Sequence, residues 1–163
     1  MKKVFLVLLF LGSLSSFAQE VTTYYFVRHA EKDRTDKTNS NPELTEKGMQ
    51  RAVQWNRTLQ YVDFDAVYST SYKRTLSTAK PIAVAHRLEV QFYNPRQPYS
   101  EDFKKATSGK NVLVVGHSNT IPQFVNAIIG EKKYPQIQDE NNSNLYVVTL
   151  VNSAITSIVL KVD

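Results

Sequence analysis
Apolar positions along the chain follow two habits. In some stretches they form short, nearly continuous runs rich in β-branched and aromatic residues, as in "TTYYFV" (22–27), "AVYST" (66–70), "LEVQFY" (88–93) and "NVLVVGH" (111–117). These runs predict strands, and the last is apolar enough for the middle of a parallel sheet. In other stretches they recur every three or four residues. From Leu44 to about Tyr61, Gly48, Ala52, Trp55 and Leu59 share a face behind Thr45, a plausible N-cap. After Ser71, taken as a cap, Leu76, Ala79, Ala83 and His86 share another, and Pro81 is expected to kink or restart that helix. A short polar helix over about 100–108 ends at Gly109, and one from about Asn119 to Ile129 tolerates Pro122 in its first turn. "LYVVTL" and "AITSIVL" form a hairpin around "VNSA", while 31–43 and 94–100 are polar loops. Strands alternating with helices predict an α/β fold: a three-layer sandwich with a mostly parallel central sheet, helices on both faces and an antiparallel C-terminal edge.

The first 18 residues stand outside this pattern. Lys2 and Lys3 precede an apolar block from Val4 to Leu11, and small residues lead to Ala18. This is the layout of a secretory signal peptide cleaved near Ala18, which leaves residues 19–163 as one domain expected in the periplasm or outside the cell. The block is about half of the roughly 20 residues that span a bilayer, so no stable membrane anchor is expected. With no cysteine, no disulfide framework is available. Loss of the leader lowers the formal charge from +5 to +3, and no run of five like charges or basic aromatic helix points to nucleic acid. A mildly positive field suits a small anionic substrate. Nothing in the chain speaks to oligomeric state.

In open parallel sheets, ligands bind beyond the carboxyl ends of the strands. Two of the three histidines in the chain stand at such ends, His29 after "YYFVR" and His117 after "VLVVG". Arg28 precedes the first, and the helix-opening residues Ser118 and Asn119 follow the second. Guanidinium groups together with free N–H groups at a helix start form an anion site. Arg74, in the first turn after the second strand, reaches the same rim. A histidine after a strand also serves as an ordinary hydrogen-bonded loop residue, and these residues alone leave both readings open.

The segments "VRHAEK" (27–32), "LTEKGMQRA" (44–52), "TSYKRTLSTA" (70–79) and "VVGHSN" (114–119) resemble, in order, the motifs of the histidine phosphatase superfamily, the phosphoglycerate mutase-like fold. The resemblance spans roughly Thr23 to Ile129. It implies that His29 is a nucleophile that becomes phosphorylated, that Arg28 and Arg74 bind the phosphoryl group, and that His117 is the second histidine of the pocket. It implies a phosphatase that acts on phosphomonoesters or phosphoramidates with no cofactor and no metal, its partner a small phosphorylated substrate. Ser118 and Asn119 join the substrate site. Two departures matter. Ala30 stands where relatives often have glycine, and for the general acid that many relatives carry beyond the third strand this chain offers only Glu101 and Asp102, which read equally as solvated carboxylates at a helix start. Glu31 is expected to brace the nucleophile's loop, and His86 to stay outside the site. A silent phosphate-binding module of the same fold is the alternative, although such a module needs neither histidine.

Overall fold
The computed structural model describes residues 20–162, so the expected leader at 1–18 lies outside the described residues. Ten elements follow one another: β1 (Val21–Arg28), α1 (Glu46–Thr58), β2 (Ala66–Ser69), α2 (Lys73–Ala85), β3 (Val90–Phe92), α3 (Glu101–Thr107), β4 (Asn111–Gly116), α4 (Thr120–Ile129), β5 (Asn144–Val151) and β6 (Ala154–Lys161). The six strands form one sheet in the order β3-β2-β4-β1-β5-β6. The first four of that order pair in parallel, and β5 and β6 add an antiparallel edge to β1. The fold is the expected α/β sandwich.

Side chains alternate across the sheet, so one apolar run supplies two cores. On one face, Tyr24 and Phe26 of β1 and Val112 and Val114 of β4 pack with Phe103 of α3 and Phe124 of α4. On the other, Val27, Val67, Leu113 and Val115 meet Trp55 of α1 and Ile82 of α2. All four valine and leucine positions of β4 are fully buried, as a central strand covered on both sides requires.

Local expectations fare unevenly. Thr45 caps α1, its side chain accepting from the Gly48 N–H at 3.0 Å. Ser71 does not cap α2; Tyr72 holds that position without a side-chain bond, because Thr75 turns its hydroxyl back to the Thr70 and Tyr72 carbonyls at 2.9 and 2.8 Å. Nor does Pro81 restart α2, which runs unbroken from Lys73 to Ala85. Burial of Ala79, Ile82 and Ala83 against the sheet carries the helix past the lost hydrogen bond. His86 is the C-cap of α2, with its ring 5.4 Å from Phe64 and edge-on to it.

Candidate active site
Three parallel strand ends lie side by side, in the order β2, β4, β1. Because Arg28 is registered with Gly116, the next residue on each strand, His29 and His117, projects from the same edge. The His29 N–H donates to the Gly116 carbonyl at 2.9 Å and extends the ladder into the site. The two imidazoles face each other edge to face with ring centroids 5.5 Å apart. Ser69 is registered with Val115, so Thr70 arrives beside His117, 2.9 Å from its Nε2. From the first turn of α2, Arg74 places Nη2 3.4 Å from His117 Nδ1. Gly116 is obligatory here, since a Cβ would stand 2.5 Å from the Tyr93 hydroxyl.

The hydrogen bonds fix both tautomers. His29 Nδ1 lies 2.8 Å from the Ala30 carbonyl, which only accepts, so Nδ1 carries the proton and Nε2 keeps the lone pair. His117 takes the converse arrangement in its own pocket: Nδ1 accepts from Arg74, and Nε2–H donates to Thr70 Oγ1. Burial, helped by Arg28 and Arg74, lowers the His29 pKa to about 3. Burial, with Arg74, Arg28 and Lys32, lowers that of His117 to about 4. Both rings are therefore neutral at working pH, as an imidazole nucleophile requires.

This neutrality has a measurable cost. Between pH 6.5 and about 4 the unfolded chain protonates both imidazoles while the folded chain holds them neutral, so the unfolded state binds more protons. Stability is therefore expected to fall as the pH drops through that window, by about 1.4 kcal/mol per pH unit for each histidine. Urea unfolding at pH 7, 6 and 5 measures the slope, and a flat profile contradicts the buried neutral pair.

Both arginines line a cavity of about 720 Å³ with the two histidines. Arg28 Nη1 donates to the backbone carbonyls of Gln138, Asp139 and Asn141 at 2.8, 2.8 and 3.0 Å, and its Nη2 bonds Asp139 Oδ1 at 2.7 Å. Arg28 thus organises the segment between α4 and β5 as well as facing the cavity. Its Nε, and Nε and Nη1 of Arg74, are buried without a partner. A buried donor left unpaired costs about 1–3 kcal/mol, more when charged, and three such nitrogens on two cavity-lining guanidiniums provide for an incoming anion.

The remaining motif residues hold this array in place. Thr45 approaches the Glu31 carbonyl through its N–H at 2.9 Å and its hydroxyl at 3.2 Å. Gly48 lies so close to the same carbonyl that any Cβ would collide with it. Arg51 Nε reaches both Glu31 carboxylate oxygens, at 2.9 and 3.0 Å. Thus α1 clamps the residues just after His29, and Glu31 is the clamp's handle. From α2, the Thr78 hydroxyl accepts the Ala30 N–H at 2.9 Å and donates to the Arg74 carbonyl at 2.7 Å. The small Ala30, wholly buried, fits beneath this bond.

Of the residues expected at the site, His29, His117, Arg28, Arg74, Ser118 and Asn119 all line the one cavity. Glu101 and Asp102 do not. Glu101 is 87% exposed and paired with Lys104 at 2.7 Å, while Asp102 lines a different cavity with Tyr68 and Phe103. Ser100 caps α3, so both carboxylates fall in its first turn, where they complement the helix end. Lys32, Tyr72, Arg96 and Asp139 also line the cavity and were not anticipated. The Arg74 guanidinium lies over the Tyr72 ring, its Cζ 4.4 Å from the ring centroid. Arg34, then Arg28, hold the Asp139 carboxyl below its ordinary pKa. Asn142 donates to the His29 carbonyl at 2.8 Å from the same segment, which shows no periodicity that would have singled it out.

The family model described as histidine phosphatase superfamily (branch 1) matches residues 24–94. No curated protein matches the chain significantly. Among solved structures, phosphoglycerate mutase from Bacillus anthracis overlays with a TM-score of 0.66 at 15% identity, over 87% of this chain and 93% of that one. A mycobacterial glucosyl-3-phosphoglycerate phosphatase gives 0.65 at 12% identity, over 88% and 100%. Phosphoserine phosphatase from Entamoeba histolytica gives 0.61 at 17% identity, over 84% and 98%. At these identities the likeness is one of fold.

Proposed function
We propose that the chain, whose residues 24–94 match the histidine phosphatase superfamily (branch 1) model, hydrolyses phosphomonoesters or phosphoramidates in two displacements through a phosphohistidine at His29. The observation that carries this reading is the bond from His29 Nδ1 to the Ala30 carbonyl at 2.8 Å, which leaves the Nε2 lone pair on a neutral ring beside two guanidiniums. Nε2 attacks phosphorus, the bond from phosphorus to the leaving oxygen or nitrogen breaks, and the leaving group departs with its electron pair. Arg28 and Arg74 stabilise charge on the equatorial oxygens, and His117, whose one N–H is given to Thr70, positions the Arg74 guanidinium through Nδ1. Water then attacks phosphorus, the P–Nε2 bond breaks, and inorganic phosphate leaves a neutral imidazole behind.

Leaving-group protonation sets the preferred substrates. Asp139 is held ionised by two arginines, and Glu101 and Asp102 lie elsewhere, so no protonated carboxyl faces the leaving atom among the described residues. Weakly basic leaving groups and nitrogen-linked phosphoryl groups are then handled best. The same lack favours, as a second reading, a phosphate-binding module without turnover. We also read Lys2, Lys3, the apolar block from Val4 to Leu11 and the small residues leading to Ala18 as a leader, so that the mature enzyme meets small phosphorylated compounds outside the cytoplasm.

Turnover of para-nitrophenyl phosphate at pH 5–7, with and without EDTA, tests the reading. Hydrolysis unaffected by the chelator is expected, because the guanidiniums supply the neutralising charge. Phosphate binding with no hydrolysis supports the module instead.

A further inference from the structure
The cavity holds more positive charge than one phosphoryl group uses. Arg28, Lys32, Arg74 and Arg96 line it against the single carboxylate of Asp139. That carboxylate is already engaged, at 2.7 Å by Arg28 and at 2.8 Å by Arg34. On the reading above, Arg28 and Arg74 receive the phosphoryl group. Lys32 and Arg96 remain, and neither side chain has a carboxylate within ion-pair distance among the described residues.

Both residues are presented on braced backbone. Lys32 forms an isolated antiparallel bridge with Leu44, and Asp33 N–H donates to the Glu43 carbonyl at 2.9 Å. Along this short ladder neighbouring side chains point to opposite faces. Glu31 accordingly turns to Arg51 on α1, while Lys32 turns to the cavity. Arg96 sits between Pro95 and Pro98 in a loop pinned by its own N–H donating to Asn94 Oδ1 at 3.0 Å. Lys32 is half-buried, and burial together with Arg74, Arg34 and Arg28 disfavours its charged form, against which Asp139 is a partial offset. An ammonium so placed gains when an anion arrives.

We propose that the substrate carries a second anionic group, a carboxylate or a further phosphate, beyond the phosphoryl group that is transferred, and that Lys32 and Arg96 receive it. This rests on the phosphoryl group lying between Arg28 and Arg74. The substrate class is then a phosphorylated acid or bisphosphate, and Lys32 determines specificity.

Calorimetric titration with phosphonoacetate, which carries both anions, and methylphosphonate, which carries one, tests this without turnover. Phosphonoacetate is expected to bind about tenfold more tightly or better, the scale of a charge-assisted contact. Lys32→Met should bring the two affinities close together, Lys32→Arg should keep the preference, and Lys80→Met, the same charge change on an exposed face of α2, should also keep it. Equal affinities in the unaltered protein, or a preference that survives Lys32→Met, overturn the second subsite while leaving the phosphoryl site standing. Failure to bind either ligand overturns the phosphoryl site and the subsite together.

Discussion

Alanine at position 29 is expected to lower kcat for para-nitrophenyl phosphate by roughly ten-thousand-fold or more, because it removes the atom to which the phosphoryl group is transferred. The fold should survive. The backbone N–H of residue 29 still pairs with the Gly116 carbonyl, and Asn142 still donates to the carbonyl of residue 29. The change also removes one of the two imidazoles that burial keeps neutral, so the fall of stability with acid should be about half as steep. Steady-state kinetics beside urea unfolding separates these effects. An activity within tenfold of the unaltered enzyme contradicts the nucleophile assignment.

Arg74→Ala is expected to lower kcat/KM by about a hundred- to a thousand-fold, the usual loss when one stabilising donor is taken from a developing oxyanion. Affinity for inorganic phosphate should fall with it. Stability should hold or rise, for a physical reason. Nε and Nη1 of Arg74 are buried and unpartnered, and its charge lies near those of Arg28 and Lys32, so the free protein bears desolvation and repulsion on its account. A site residue that strains the unliganded fold is one whose stabilising partner arrives with the ligand. Thermal unfolding with and without phosphate checks this. Parallel losses of activity and of melting temperature would mark Arg74 as a structural residue.

The sheet was legible in the sequence because its strands are buried on both faces. "NVLVVG" is apolar at every central position, and only a central parallel strand needs that. The alignment of His29 with His117 followed from two strands ending alike beside each other. The purpose of "LTEKGMQRA" was less visible. Its spacing showed a helix face of Gly48, Ala52 and Trp55, but that Gly48 abuts the Glu31 carbonyl depends on a contact across 17 residues. Asp139 and Asn142 were out of reach for the same reason: Arg28 and the His29 carbonyl recruit them through a segment held largely by its own backbone carbonyls. Glu101 and Asp102 read two ways in the sequence because a carboxylate in a helix's first turn is equally at home as a solvated end group, and Ser100 caps α3 so that they are. Pro81 misled because tertiary burial outweighed one missing hydrogen bond.

Reaction chemistry on His29 is the claim on which the rest depends. Rapid acid-free quenching of the enzyme during turnover of para-nitrophenyl phosphate, followed by peptide mass mapping under basic conditions, observes it directly. A base-stable, acid-labile phosphoryl group on the peptide bearing His29, absent without substrate, is the expected result. Turnover with no phosphorylated histidine, or with the phosphoryl group on any residue other than His29, would contradict it.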